Sequence, residues 1–258
     1  MNVGERDELI FKIYMTQKRD QGEELLGELV ESVSFDGFEF YSLPDSIDMR
    51  TVLRMDDFEL NRLAASMRIL KAPTGAKADV YINGIGISLK SMAAAPAALV
   101  NHTARPGFEF ACLNANSSID ILDNIIDDYW DKRMNGIITE DTRISDINCP
   151  FNGYKEYMRP ILEYFLFEGT GSKISAFPAD YIIEFSDPVN EATYGLLTKE
   201  DAVNDVWPKL IFSLRAKKGM PSNYNPKTFC GKNAESIARW VKYHSGDYRG
   251  ALHIRASR

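Results

Sequence analysis

The sequence predicts a mixed α/β fold with a central mixed sheet flanked by helices. Two hydrophobic periodicities alternate along the chain: apolar residues every three or four positions, as in residues 5–18, and strict alternation, as in residues 85–90. A third observation is Asn83-Gly84 between two apolar runs, which is the strongest short signal for a β-hairpin. No internal repeat is present, so a repeat architecture is not expected.

In the amino-terminal half, helical spacing of apolar residues predicts three helices. The predicted ranges are 5–18, 23–33 and 56–70. Residues 35–41 alternate in polarity and predict a strand. The sequence Pro73-Thr74-Gly75 ends the third helix and leads into the hairpin.

The hairpin is predicted to pair strand 80–82 with strand 85–90. Because side chains alternate along a strand, Ser88 and Lys90 share one face, and the hairpin folds Asp79 back towards them. A carboxylate, a hydroxyl and an ammonium could hold a divalent metal beside a positive charge, which suits phosphodiester hydrolysis. The same residue types are also ordinary on the solvent-facing side of a strand.

The carboxy-terminal half continues the mixture of helices and strands. Helices are predicted at 117–134, 154–168 and 234–243, and strands at 180–184, 209–216 and 248–255. The helix at 117–134 is amphipathic and ends at Asn135-Gly136. Five acids on its outer face predict a solvated surface that points away from any nucleic acid: Asp120, Asp123, Asp127, Asp128 and Asp131.

Segments on both sides of the hairpin carry a family resemblance. GISLKSMAAAPAALVN (86–101) combines G-[FI]-S-[IL]-K-S with P-x-x-L-x-N, and KADV (77–80) supplies K-x-D-[IV]. VGERDELI (3–10) is similar to a G-E-x-x-E helix. Together these resemble HpaII-like type II restriction endonucleases of the PD-(D/E)xK superfamily. The chain departs from that superfamily's motif, since Ser88 stands where the second acid usually stands and no proline precedes Asp79.

The resemblance implies a deoxyribonuclease, a restriction-endonuclease-like sheet and Mg²⁺ as cofactor, with Mn²⁺ able to substitute. It implies that Asp79 ligates the metal, that Ser88 lies in or beside the coordination sphere, and that Lys90 orients and helps to deprotonate the attacking water.

The second carboxylate must then come from elsewhere in the chain. Glu5 and Glu8, at i and i+3 on one helical face, match the family pattern as catalytic candidates, with Glu5 the expected metal ligand. Glu109 is a candidate without a family match. For Glu5 and Glu8 the alternative is a favourable interaction of acids with a helix amino end.

Charge is distributed unevenly along a chain whose net charge is −7. Residues 1–208 carry 19 Lys and Arg against 35 Asp and Glu, whereas residues 209–258 carry 11 against 2. The acidic part is predicted to be the catalytic body, and the basic part a DNA-contacting segment of the same single domain. Candidate contacts to DNA are Arg215, Lys217, Lys218, Asn223, Asn225 and Lys227.

Composition excludes several other classes of protein. Three scattered cysteines predict neither a disulfide framework nor a zinc site, which fits a reducing cytoplasm. No apolar run predicts a membrane span, and the first residues lack the pattern of a signal peptide. The three histidines have no zinc-site spacing, and the motifs of phosphate-binding loops, dinucleotide folds and serine hydrolases are missing.

The expected function is therefore site-specific cleavage of double-stranded DNA. Palindromic sites call for two active sites, so we expect a homodimer, with a monomer as the alternative. Two other hypotheses remain at this point: a DNA-binding module with a degenerate nuclease site, and a globular interaction protein without nuclease chemistry.

Overall fold

A computed structural model describes residues 1–35, 38–45, 47–69, 71–94, 98–216, 218–221 and 224–257. It confirms a mixed α+β fold. The chain divides into two compact units: unit 1 is Met1–Ala95 with Ser175–Lys199, and unit 2 is Pro96–Ile174 with Glu200–Arg258. The change of charge at residue 208 lies inside unit 2, so it does not coincide with the division between the units.

The elements in the described part of the chain are as follows. The α-helices are α1 (Val3–Gln21), α2 (Met49–Arg54), α3 (Asp57–Ser66), α4 (Arg105–Asn114), α5 (Ile119–Met134), α6 (Lys155–Glu163), α7 (Lys199–Val206) and α8 (Ala234–Trp240). The strands are β1 (Glu24–Leu25), β2 (Glu28–Leu29), β3 (Val33–Phe35), β4 (Phe38–Glu39), β5 (Val80–Ile82), β6 (Ile85–Ser91), β7 (Ala98–Ala104), β8 (Tyr181–Phe185), β9 (Gly195–Leu197), β10 (Leu210–Ala216), β11 (Lys242–His244) and β12 (Asp247–Ala256). A single π-helical turn, Tyr164–Glu168, continues α6.

Helix α1 is delimited by its caps. The Asn2 side chain accepts a hydrogen bond from the Glu5 backbone N–H, and the Glu5 carboxylate accepts one from the Asn2 backbone N–H, forming a capping box. Gly22 ends the helix in the left-handed conformation, with φ of 63°. These caps extend the helix beyond the predicted range 5–18.

Two predictions for the segment after α1 are wrong. Residues 23–33 are not helical: residues 24–29 form the β1–β2 hairpin and Val33 begins β3, because Leu26 and Gly27 adopt positive φ angles of 51° and 88° and make a tight turn. The predicted strand 35–41 is divided between β3 and β4, which pair with each other; residues 36 and 37 lie outside the described residues.

The main sheet of unit 1 has six strands in the order β4-β3-β5-β6-β8-β9. Strands β6 and β8 are parallel, and the other neighbours are antiparallel, so the sheet is mixed as expected. One face of the sheet packs against α1, with Phe11 stacked on Phe185 at 5.6 Å between ring centroids. Ile87 and Leu89 belong to the same core, which fixes the face of β6 that is turned towards α1.

Unit 2 contains a four-stranded antiparallel sheet. Strand β12 lies at its centre, pairing with β10 on one side and with β11 and β7 on the other. The core beneath it combines α4, α5 and α6 with the apolar side chains of β10 and β12, among them Phe212, Leu214, Leu252 and Ile254. Predicted strands 209–216 and 248–255 are confirmed with shifts of about one residue at their ends.

The prediction that the acids of α5 form a solvated face is wrong for Asp123. Its carboxylate is buried and accepts hydrogen bonds from the Arg105 guanidinium at 2.8 and 2.9 Å and from Trp240 Nε1 at 2.6 Å. Asp127 pairs with Arg239 on α8. Residues distant in sequence supply these partners, so helical periodicity could not reveal them.

Candidate functional site

The β5–β6 hairpin forms as the sequence predicts. Asn83 and Gly84 occupy the turn with φ angles of 52° and 79°, the conformation that a two-residue hairpin loop requires. Gly86 follows on β6, where an added Cβ would lie 2.5 Å from the Pro178 carbonyl oxygen. A side chain at that position would therefore push β6 away from the segment that leads into β8.

The hairpin brings together the three residues proposed for catalysis. The Asp79 backbone N–H donates to the Ile87 carbonyl at 2.8 Å, which places Asp79 opposite Ser88. Asp79 Oδ2 accepts the Leu89 backbone N–H at 2.7 Å and the Ser88 hydroxyl at 3.3 Å. Lys90 Nζ donates to Ser88 Oγ at 3.0 Å. The Ser88 hydroxyl thus links the carboxylate to the ammonium.

Burial differs sharply along this row of side chains. Ser88 is 3% exposed, Asp79 is half-buried and Lys90 is exposed. The alternative, an ordinary solvent-facing strand surface, does not hold for Ser88, whose hydroxyl is held in place by its two neighbours. At 3.3 Å the bond from Ser88 to Asp79 is long for a hydroxyl donor, so the Leu89 N–H provides the firmer support for the carboxylate.

A second lysine belongs to the electrostatic environment of the site. Burial lowers the pKa of Lys77 to about 8; the positive charge of Lys90 acts in the same direction, and the Asp79 carboxylate acts against both. Lys77 was part of the K-x-D pattern in the sequence, but no catalytic role was assigned to it. The structure therefore adds a half-buried lysine to the surroundings of Asp79 and Lys90.

The chemistry of Asp79 fits a magnesium ion that is only partly held by protein. Mg²⁺ keeps several waters and binds through one or two carboxylates plus phosphate oxygens. The hydrogen bonds to Asp79 end on Oδ2, so Oδ1 is the oxygen that can face a cation. Within the described residues no group of three or more His, Cys, Asp or Glu side chains forms a metal cage. The fit is therefore to one carboxylate completed by water and substrate oxygens.

The amino-terminal acids have structural partners. Glu5 completes the capping box of α1, and its other oxygen accepts the Lys71 ammonium at 2.7 Å. This bond with Lys71 is the main reason that the pKa of Glu5 lies below its usual value. Glu8 pairs with the buried Lys12 at 2.6 Å. Each contact supports the reading in which these acids stabilise the helix and its packing.

Three further acids bear on the expectation of a second carboxylate. Glu109, in unit 2, bonds with Arg105 at 3.4 Å and Ser236 at 3.2 Å. Sequence reasoning missed Asp7, which accepts the Ser91 hydroxyl at 2.5 Å at the end of β6. Glu184 belongs to the segment 180–184, which the sequence predicts as a core strand and not as an acidic site; in the structure Glu184 is paired in register with Lys90 on the parallel strand β8 and so shares its face. The apolar run in 180–184 predicted the strand, but nothing in the sequence indicated which strand would pair with it.

The predicted DNA contacts occupy varied environments in unit 2. Arg215 Nε donates to Ser213 Oγ at 3.0 Å, and its guanidinium is 3.3 Å from Glu140. Asn225 Oδ1 accepts the Lys227 backbone N–H at 2.9 Å, so this side chain stabilises a turn. Lys218 and Lys227 are exposed. Lys217 and Asn223 lie outside the described residues.

Acidic side chains of unit 2 neutralise part of the positive charge of the basic segment, residues 209–258. Glu140 approaches both Arg215 and Arg249 at 3.3 Å, and the neighbouring Asp141 pairs with Arg255. The positive charge of residues 209–258 is thus smaller at the surface than the sequence count implies.

Comparison of the chain with protein-family models, curated proteins and solved structures gives no match. The functional argument therefore depends on the geometry of the site. In the described part of the chain, no helix has both the length and the apolar composition that a membrane crossing needs.

Proposed function

We propose that the protein is a Mg²⁺-dependent type II restriction endonuclease that hydrolyses phosphodiester bonds at specific sites in double-stranded DNA. The observation that carries this proposal is the linked row Asp79–Ser88–Lys90 at the hairpin. A half-buried carboxylate, a buried hydroxyl and an exposed ammonium stand side by side on one face of a mixed sheet. The mixed sheet packed against α1 also fits the expected restriction-endonuclease-like core.

In the proposed mechanism each residue has a separate task. Asp79, oriented by the Leu89 N–H, is the protein ligand for the metal. Ser88 holds Lys90 beside the carboxylate, and Lys90 orients the attacking water and offsets the negative charge that develops on the phosphate. When bound, the metal ion would act as a Lewis acid and neutralise phosphate charge. A second carboxylate would come from unit 1, where the candidates are Glu5, Glu8, Asp7 and Glu184.

Binding of DNA is proposed to involve the basic segment of unit 2. Lys218 and Lys227 are exposed and can neutralise phosphates. Their side chains position the duplex without reading its sequence, whereas base contacts would supply specificity. We propose a homodimer for symmetric sites, by the symmetry argument given above.

A cleavage assay with Asp79→Asn tests the proposal. Asparagine keeps an oxygen to accept the Leu89 N–H, so the hairpin should remain folded while the charge that attracts the metal is removed. With plasmid DNA and Mg²⁺, the parent protein should give discrete fragments, and Asp79→Asn should give none.

The controls separate the alternative functions. Lys132→Ala removes a surface lysine that pairs with Asp128 on α5 and should cut like the parent protein. A gel shift without cleavage by the parent protein would indicate a DNA-binding module with a degenerate site. If the parent protein shows neither a gel shift nor cleavage, the nuclease hypothesis and the DNA-binding hypothesis are both overturned.

A further inference from the structure

Two histidines form a stacked pair on the sheet of unit 2. The rings of His102 on β7 and His253 on β12 are 4.4 Å apart between centroids and inclined by only 11°. The Nδ1 atoms of both rings are buried and lack a hydrogen-bond partner among the described residues. A buried polar atom without a partner costs free energy, so this arrangement calls for a group that can bind there.

A β-bulge creates the pair. Strand β12 pairs Leu252 with Thr103 and Ile254 with Val100, so two residues of β7 face the single residue His253. His102 is one of these two, and its φ of 44° is unusual for a residue with a side chain. Bulges of this kind redirect side chains, and here the bulge places one imidazole over the other.

The surroundings of the pair are cationic. Ser213 is the register partner of His253 on β10, is fully buried, and accepts the Arg215 guanidinium at 3.0 Å. Burial is the main cause that lowers the pKa of His253, to about 4, and the charges of His102, Arg215 and Arg255 act in the same direction. A hydrogen bond between the His253 ring and the Val100 backbone acts against them. Burial also lowers the pKa of His102, followed by Lys218 and Arg215.

Acids counter only part of this charge. Glu140 approaches Arg215, and Asp141 pairs with Arg255. Cations around a pair of histidines disfavour a metal ion and favour an anion. Within the described residues no third His, Cys, Asp or Glu joins the pair as a metal ligand.

We propose that His102, His253 and Arg215 form a binding site for a phosphate-type oxyanion. The anion would accept hydrogen bonds at the two unpartnered Nδ1 positions and form an ion pair with the guanidinium. The site lies in unit 2, whereas the Asp79 hairpin lies in unit 1, and it does not depend on cleavage. A free phosphate ion and a phosphate of the DNA backbone offer the same oxyanion chemistry. If the ligand is DNA, the inference rests on the proposed function; if it is a free phosphate, the inference is independent of it.

Binding of an anion should be coupled to uptake of a proton. An oxyanion beside the rings favours the imidazolium, so it raises the histidine pKa values that burial and the cations lower. The relevant pH range lies between the histidine pKa in the free site and its higher pKa in the anion-bound site. In this range, affinity for the anion should fall about tenfold for each unit by which the pH rises, for each proton taken up. For His253 this range begins at about pH 4.

Histidine side-chain NMR of the full chain, without Mg²⁺, tests the proposal. The chain has three histidines. His244 serves as an internal control because it is not part of the stacked pair; its ring packs against the Trp130 ring, with 6.3 Å between centroids. Titrations over pH are compared in chloride, in inorganic phosphate and with a duplex oligonucleotide, at equal ionic strength. We expect the His102 and His253 pKa values to rise by at least one unit with an oxyanion, while that of His244 stays unchanged.

Two variants sharpen the test. His253→Gln should remove most of the pH dependence of affinity, and Arg215→Gln should lower affinity at every pH and leave the dependence in place. His244→Gln should match the parent protein. If His253→Gln does not fold, Arg215→Gln and the parent titrations still decide the question.

Each outcome has a distinct meaning. A shift with phosphate but not with duplex supports the site and identifies a free oxyanion as its ligand. A shift with both identifies the DNA backbone as a ligand. No shift with either overturns the site, and it leaves the nuclease proposal standing because no cleavage is measured.

Discussion

Replacing Lys90 with alanine separates catalysis from folding at the candidate site. Lys90 is exposed on β6, and the neighbouring Leu89 points to the opposite face, into the core shared with α1. The substitution therefore removes an ammonium and its hydrogen bond to Ser88 without opening a cavity.

The expected effects on stability and on catalysis differ in size. Loss of this one partly buried hydrogen bond changes the free energy of unfolding by about 0.5–1.5 kcal/mol, since Ser88 can still donate to Asp79. Loss of one preorganised group that stabilises developing charge lowers the rate about 10²–10³-fold, or about 2.7–4 kcal/mol of transition-state stabilisation. Catalysis should thus lose several times more free energy than folding does.

The assay measures both quantities on the same preparation. Urea denaturation gives the free energy of unfolding, and single-turnover cleavage of a labelled duplex with Mg²⁺ gives the chemical rate. DNA affinity measured with Ca²⁺, in place of Mg²⁺, should stay within about threefold of the parent value, because the proposed phosphate contacts lie on the basic segment.

The matched control is Lys132→Ala, which also removes one lysine and its surface ion pair. Manganese should partly restore cutting in Asp79→Asn, which weakens metal binding, but not in Lys90→Ala. Cleavage by Lys90→Ala at the parental rate would refute the reasoning, since the hairpin would then not be the active site.

Four other perturbations have defined outcomes. Alanine at both Lys218 and Lys227 should reduce the log–log salt slope of duplex affinity by about two, measured by fluorescence anisotropy; an unchanged slope would place DNA elsewhere. Glu5→Ala should lower the melting temperature and leave cleavage intact if the capping box is its role, whereas a raised Mg²⁺ requirement would indicate metal binding. Asp123→Ala should destabilise the protein by about 3–5 kcal/mol in urea denaturation, because it removes the main carboxylate partner of the Arg105 guanidinium and the buried acceptor of Trp240 Nε1; a loss below about 1 kcal/mol would contradict this. Stability should decrease as pH falls from about 6.5 to about 4, because the unfolded chain takes up a proton that His253 in the fold does not; His253→Gln should flatten this part of the profile.

Local signals in the sequence were sufficient for the hairpin and for several helices. Asn83-Gly84 specifies a turn through backbone conformations that few other pairs adopt, so the positions of β5 and β6 followed directly. Alternation along β6 then placed Ser88 and Lys90 on one face. The helix at 117–134 was predicted because its periodicity and its end signals agree.

Other predictions failed where the conformation depended on partners remote in the chain. Residues 23–33 have helical spacing, but positive φ angles at Leu26 and Gly27 turn the chain into a hairpin. Asp123 looked solvated on its helix, yet Arg105 and Trp240 bury it. Periodicity reports one element at a time and contains no information on what packs against it.

The sequence alone determined the mixed fold class and the alignment of Asp79, Ser88 and Lys90, because each depends on turn chemistry and on a period of two residues. Tertiary structure decided the rest. Pairing with the parallel strand β8 set Glu184 beside Lys90, and the bulge between β7 and β12 stacked His102 on His253. Both arrangements join residues separated by some ninety or more positions, and contacts at that separation arise from packing, which no local pattern of side chains encodes.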